Sequence, residues 1–106
     1  MPPTVATYFE LMDGPDKTRV ADVFTDNATV LDDGHTYRGR AEIKGWLSGP
    51  ASEYTTTSTR LSVQRSGATT IVVILLEGNF PGGRVELRYE FRENTDGLLD
   101  ALSITA

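Results

Sequence analysis

The chain has 106 residues, of which 39% are hydrophobic and 24% charged, as is usual for one globular domain. The 15 acidic and 10 basic residues give a net charge of −5, which disfavours binding to nucleic acids and to anionic membrane surfaces. The chain has no cysteine and one histidine, so it offers no disulfide, no thiolate nucleophile and no multi-histidine metal site.

Helical spacing of apolar residues governs the first part of the chain. It predicts a helix over residues 4–12, which Gly14-Pro15 ends. Pro15 suits the first turn of a second helix, and Asp16 is favourable near the positive end of that helix. A third helix is predicted over residues 40–48. No apolar run approaches the ~20 residues of a membrane helix, and no signal peptide is recognisable, so we expect a soluble cytoplasmic protein.

Strand patterns appear between these helices and dominate the second half. Residues 28–32 and 35–38 flank Asp33-Gly34, a dipeptide typical of a tight hairpin turn. Alternation is clearest in residues 84–93, where apolar and charged side chains occupy opposite faces. Further strands are predicted over residues 54–65, over residues 69–80 and after the turn at Asp96-Gly97.

This order predicts a single α+β domain over residues 1–106. Three N-terminal helices should pack on one face of a curved antiparallel sheet, and such an arrangement leaves a cone-shaped pocket between the two layers. A concave apolar pocket of this kind is a natural site for a small-molecule ligand.

The chain resembles the nuclear transport factor 2-like superfamily, which includes ketosteroid isomerases, polyketide cyclases and limonene epoxide hydrolase. The residues that carry the resemblance are Tyr8, the segment 24–32 with its Phe-x-Asp-x-Ala-x-Val pattern, Tyr37-Arg38-Gly39, Ala41, Ile43, Trp46 and the segment 78–82. The resemblance implies a cystatin-like α+β barrel, an apolar small-molecule ligand and a homodimer through the outer sheet face.

The resemblance also implies a catalytic pair. In ketosteroid isomerases, a helix tyrosine donates a hydrogen bond to the substrate and a carboxylate shuttles the proton. These two positions fall on Tyr8 and Asp32, whereas the position of a third, protonated aspartate falls on or near Leu87. A carboxyl in an apolar pocket loses hydration, which raises its pKa and makes it a better base near neutral pH. The alternatives are a turn role for Asp32 and a core role for Tyr8.

Asp100 and His35 are further candidates for proton transfer. Strict alternation would turn Asp100 toward the apolar face of the last strand. There, Asp32 and Asp100 could form the two-carboxylate site of an epoxide or ester hydrolase. The alternatives are a local ion pair for Asp100 or a bulge that exposes it. His35 is either a surface residue of the hairpin or a second proton carrier near Asp32. We expect Trp46, Phe80, Leu87 and Tyr89 to line the pocket, with plain core packing as the alternative for the aromatic residues.

The leading hypothesis is therefore an isomerase, cyclase or lyase that needs no metal or organic cofactor and acts on an apolar, carbonyl-bearing substrate. The main alternative is a protein that binds a lipophilic molecule without turnover or serves as a dimeric interaction module, since Leu87 replaces the expected acid. A function derived from fold alone is only an analogy, so the site has to decide between them.

Overall fold

One six-stranded sheet and two α-helices make up most of the protein in the computed structural model, which describes Met1–Ala106. The helices are α1 (Pro3–Met12) and α2 (Gly39–Ser48), with 3-10 helices at Lys17–Val23 and Pro50–Ser52. The strands are β1 (Phe24–Asp32), β2 (His35–Arg38), β3 (Thr56–Ser66), β4 (Thr69–Gly78), β5 (Arg84–Glu93) and β6 (Leu99–Thr105). The predicted α+β class is confirmed.

The sheet is mixed rather than wholly antiparallel. Its strand order is β2-β1-β6-β5-β4-β3, and every neighbouring pair is antiparallel except β1 with β6. A parallel pair cannot be closed by a hairpin, and here the connection between β1 and β6 includes β2, α2 and the three-stranded meander. The pairing therefore brings the last strand of the chain beside the first.

Two local elements differ from the predicted ones. The segment after Asp16 is a 3-10 helix instead of an α-helix; Asp16 Oδ1 caps it by accepting a hydrogen bond from the Thr18 amide at 3.0 Å. Strand β1 begins at Phe24 and not at residue 28 as predicted, and its pairing with β6 is irregular between Phe24 and Thr29. Arg40 fixes this irregularity: its Nε and Nη2 donate to the Phe24 carbonyl at 3.0 and 2.7 Å, and its Nη1 lies 2.9 Å from Asp26.

The hydrophobic core lies between the helices and the concave face of the sheet. The helices contribute Val5, Val20, Ile43 and Leu47, and the sheet contributes Val30, Val72, Phe91 and Leu102. All of these side chains are buried, as the amphipathic patterns predict. The opposite, convex face of the sheet remains outside this core.

The β1–β2 hairpin determines which side chains of β1 enter the concave side. Asp33 and Gly34 have φ values of 51° and 75°, as a two-residue type I′ turn requires, and they bring Asp32 opposite His35. Since alternate residues of a strand face opposite sides, Val30 and Asp32 point to the concave side. Leu31 points the other way and remains 37% exposed.

Candidate functional site

A cavity of about 660 Å³ opens between α1, the end of α2 and the concave face of the sheet. Its size lies in the usual range for small-molecule sites. The predicted residues Tyr8, Asp32, Trp46, Phe80, Leu87 and Tyr89 all line it. One cavity thus brings together six of the eight site residues that the sequence suggested.

Asp32 is held in position by Trp46. The indole Nε1 of Trp46 donates a hydrogen bond to Asp32 Oδ2 at 3.0 Å, and the Trp46 side chain is almost completely buried. Burial of the ring limits its rotation, so the indole fixes the direction of the carboxylate. The other carboxylate oxygen, Oδ1, accepts no hydrogen bond from the protein and is free to contact a ligand.

Two phenols lie near Asp32. Burial raises the pKa of Tyr8 well above its usual range, and the neighbouring Tyr89 and Asp32 raise it further. Burial and the charge of Asp32 raise the pKa of Tyr89 to about 12. Both groups therefore carry their protons at neutral pH and can donate hydrogen bonds. Tyr8 is part of both the core and the cavity lining. Its ring packs edge-on against the ring of Phe91, with the two centroids 5.1 Å apart, and the residue also lines the cavity.

The cavity lining also includes residues that the sequence did not suggest as site residues. Three of them are the polar side chains of Tyr54, Thr56 and Ser58. Asp13 and Lys17 also line it. Asp13 directly follows α1 and Lys17 begins the first 3-10 helix, and no periodic pattern indicates the direction of either side chain. The Lys17 ammonium donates to the Ala51 carbonyl at 3.1 Å.

His35 lies outside the cavity, which corrects its assignment as a ligand-binding residue and agrees with the alternative of a surface position in the hairpin. It pairs with Asp32 across the hairpin, but β2 is the edge strand of the sheet and the His35 side chain is exposed. The imidazole does not contribute to the cavity lining.

Asp100 also lies outside the cavity, which corrects the prediction from strict alternation. Glu93 pairs with Leu99 and Arg92 with Ala101, so Asp100 is the extra residue of a β-bulge. Its Oδ1 lies 4.0 Å from Nε of Arg92, an exposed residue next to the buried Phe91 on β5. The bulge thus turns the Asp100 carboxyl to the convex side. The hypothesis of an epoxide or ester hydrolase required both Asp32 and Asp100 in the cavity, so the structure does not support it.

Neither α-helix could cross a lipid bilayer, because each has only 10 residues. No group of three or more histidine, cysteine, aspartate or glutamate side chains is arranged to hold a metal ion.

Solved structures share this architecture over almost the whole chain. A Sinorhizobium meliloti protein provisionally named a polyketide cyclase is 27% identical with a TM-score of 0.90, and the match covers 99% of this chain and 95% of that one. A Catenulispora acidiphila protein with a ketosteroid isomerase-like fold, solved with trimethylamine, is 18% identical with a TM-score of 0.86 and coverages of 100% and 86%. The chain has a nuclear transport factor 2-like fold.

A third similar structure is Rv0760c from Mycobacterium tuberculosis, solved in complex with estradiol-17β-hemisuccinate. It is 14% identical with a TM-score of 0.81, and the match covers 97% of this chain and 90% of that one. No protein-family model and no curated protein matches the chain. The likeness therefore establishes the nuclear transport factor 2-like fold, and the chemistry has to be inferred from the cavity.

Proposed function

We propose that this protein is a small-molecule enzyme of the ketosteroid isomerase and polyketide cyclase kind. Asp32 removes a proton from the carbon beside a ligand carbonyl, and Tyr8 donates a hydrogen bond to the carbonyl oxygen. The observation that supports this most is the presence of both groups in one cavity, with Asp32 fixed by the Trp46 indole. The structural neighbours named for polyketide cyclase and ketosteroid isomerase-like proteins make the same chemistry the natural first candidate.

The proton transfer needs no external reagent. Asp32 Oδ1 takes the proton from the carbon, and the C–H electron pair forms the enolate double bond while the carbonyl π electrons move to oxygen. Return of the same proton to a different carbon gives an isomer, and return to the same carbon restores the substrate. A hydrogen bond from Tyr8 stabilises the oxygen most when its negative charge is largest, so the barrier falls.

Proton exchange tests the proposal before the substrate is known. The purified protein is incubated in D₂O with a panel of enolisable ketones and lactones, and loss of α-proton signals is followed by NMR. We expect at least one member to exchange, with a rate about 10²- to 10⁴-fold lower in Asp32→Asn. The matched control is Asp22→Asn, which changes an exposed carboxylate of the 3-10 helix outside the cavity. Exchange that survives Asp32→Asn would contradict the assignment.

Binding without turnover is the second candidate, and Leu87 favours it. Leu87 lies in the cavity at the position where the resemblance leads one to expect a protonated carboxyl, so one donor of the isomerase chemistry is missing. In the same panel, native mass spectrometry or ligand-detected NMR would then find a compound that is bound and released unchanged. Binding without exchange in the whole panel would support this candidate over the enzyme.

We also propose a homodimer through the convex face of the sheet. On this face, the partly exposed Ile71, Val73 and Leu75 of β4 lie beside a row of alternating charges on β5. That row consists of Glu86, Arg88, Glu90 and Arg92. Across a twofold axis, acidic residues of one copy can face basic residues of the other while the apolar stripe is buried.

Light scattering across a dilution series tests the dimer. We expect a dimer for the parent protein and a monomer for Val73→Asp, which places a charge in the apolar stripe. Ala41→Glu, a change on the exposed face of α2, should remain dimeric. A parent protein that is monomeric at all concentrations would defeat the proposal.

A further inference from the structure

A second cavity, of about 470 Å³, lies beside the one that contains Asp32. This cavity, which we call the annex, is lined by residues 12–18, 47–48, 52 and 54–56, between the segment after α1, the end of α2 and the start of β3. The two cavities share five lining residues: Met12, Asp13, Lys17, Tyr54 and Thr56. A ligand held beside Asp32 can therefore extend into the annex.

The annex is much more polar than the first cavity. Only three of its 13 lining residues are hydrophobic, against 12 of 20 in the first cavity. An apolar group in the annex would take polar side chains out of water without giving them a partner, which is unfavourable. The part of a ligand that occupies the annex should therefore be polar.

Charged side chains of both signs line the annex. Asp13 and Asp16 supply carboxylates, and Lys17 supplies an ammonium that donates to the Ala51 carbonyl at 3.1 Å. Hydrogen bonds from the Thr18 hydroxyl and amide lower the pKa of Asp16, so this carboxyl is ionised at neutral pH. Since like charges repel, the two aspartates disfavour an anionic ligand group and Lys17 disfavours a cationic one. A neutral polar group fits the annex best.

Several hydroxyl groups of the annex already use their protons within the protein. They donate to a carboxylate or to backbone carbonyls, and they belong to Thr18, Ser48 and Ser52. The lone pairs of these hydroxyls and of the carboxylates remain as acceptors, and the Lys17 ammonium adds donors. A ligand hydroxyl, which both donates and accepts hydrogen bonds, matches this set.

We propose that the annex binds a neutral, hydroxyl-bearing part of the ligand, such as a sugar or a polyol chain, while the carbonyl-bearing part lies beside Asp32. This rests on the proposed function, because Asp32 defines the position of the carbonyl end. The substrate class is then an apolar ketone with a hydroxylated substituent. Tyr54, which lines both cavities, provides an aromatic surface at their junction.

Four aryl ketones that differ only in one substituent test the annex. They are the β-glucoside, the 2,3-dihydroxypropyl ether, the methyl ether and the carboxymethyl ether of 4′-hydroxyacetophenone. Their dissociation constants are measured with the parent protein by ligand-detected NMR. We expect the glucoside or the dihydroxypropyl ether to bind at least about 5-fold more tightly than the methyl and carboxymethyl ethers, since two net hydrogen bonds contribute at least this much. The glucoside and the dihydroxypropyl ether distinguish a sugar from a polyol chain.

A substitution that fills the annex locates the preference. Ser48 is exposed at the end of α2 and lines only the annex, so Ser48→Trp should abolish the preference and leave the affinity for the methyl ether within about twofold. Ala41→Trp, an equally bulky change on the exposed face of α2 outside both cavities, should keep the preference. Circular dichroism verifies folding. Thr55→Tyr, at another exposed residue that lines only the annex, replaces Ser48→Trp if that variant does not fold.

The hydroxyl site would be overturned by equal affinity for the two hydroxylated ketones and the methyl ether, or by tightest binding of the carboxymethyl ether. Absence of binding by all four ketones, or a preference that a folded annex-filling variant leaves unchanged, would also overturn it. The proposed function is tested separately, because α-proton exchange of the methyl ether depends on Asp32 and does not involve the annex.

Discussion

Replacement of Trp46 by phenylalanine should destabilise the protein by removing the hydrogen bond that holds Asp32. The Nε1–Oδ2 bond of 3.0 Å has a charged acceptor, and such bonds contribute about 1.5–3 kcal/mol. The smaller ring also leaves a residual cavity at a fully packed position, which costs about 1 kcal/mol more. We therefore expect Trp46→Phe to lower the free energy of unfolding by about 2.5–4 kcal/mol, or roughly 10–30 °C in Tm for a domain of this size.

A double-mutant cycle separates the hydrogen bond from the packing term. Urea unfolding is measured for the parent, Trp46→Phe, Asp32→Ala and the double variant, and the coupling energy is taken from the four values. We expect a coupling of about 1.5–3 kcal/mol, since only the pairwise bond is lost in both single variants. A control cycle of Trp46→Phe with the exposed Asp22→Ala should be additive within about 0.5 kcal/mol. A coupling energy below about 0.5 kcal/mol for the Trp46–Asp32 pair would refute the role of the indole in positioning the carboxylate.

Two further predictions concern stability. The pKa of Tyr89, raised to about 12 in the folded protein, makes the folded state hold the phenol proton more tightly than the unfolded state does. This stabilisation is complete below pH 10, which is about the pKa of tyrosine in the unfolded chain, and it is lost as the pH rises through about 12. The total loss in the free energy of unfolding is at most about 2.7 kcal/mol. Urea unfolding between pH 8 and 11.5 should show the decline, and Tyr89→Phe should reduce it; an identical decline in the variant would contradict the assignment. At the two glycines, Gly34→Ala should cost about 1 kcal/mol because φ is +75°, whereas Gly45→Ala in α2, where an added Cβ meets nothing, should stabilise by about 0.5–1 kcal/mol. Changes of the same sign at both positions in thermal unfolding would disprove this reasoning.

Elements with a complete local pattern were predictable from the sequence. The alternation in β5 gave its bounds, Arg84–Glu93, because each residue of that strand faces either the core or solvent. Asp33-Gly34 gave the hairpin, since few dipeptides adopt two successive positive φ values. In both places the local conformation and the tertiary environment demand the same residues.

Features that depend on distant strands were not predictable in the same way. The bulge at Asp100 arises from the pairing of β6 with β5, and a single strand read alone gives no sign that one residue is left out of register. His35 is exposed on β2, and the place of β2 at the edge of the sheet follows from a strand order that the hairpin alone does not reveal. Similarly, Tyr54, Thr56 and Ser58 line the cavity, and their spacing in the sequence alone does not show which element they face.

The register of the β1–β2 hairpin connects the fold with the proposed chemistry. A shift by one residue would exchange the two faces of β1, bringing Leu31 to the concave side and Asp32 to the outside. Hydrophobic burial alone would favour that arrangement, since Leu31 remains 37% exposed while the neighbouring acid enters an apolar cavity. The turn at Asp33-Gly34 and the pairing of β1 with β6 oppose the shift, and Trp46 compensates the partly buried carboxylate with a hydrogen bond. An arrangement that exposes an apolar side chain and partly buries an acid is easier to understand as a requirement of the cavity than as a requirement of stability.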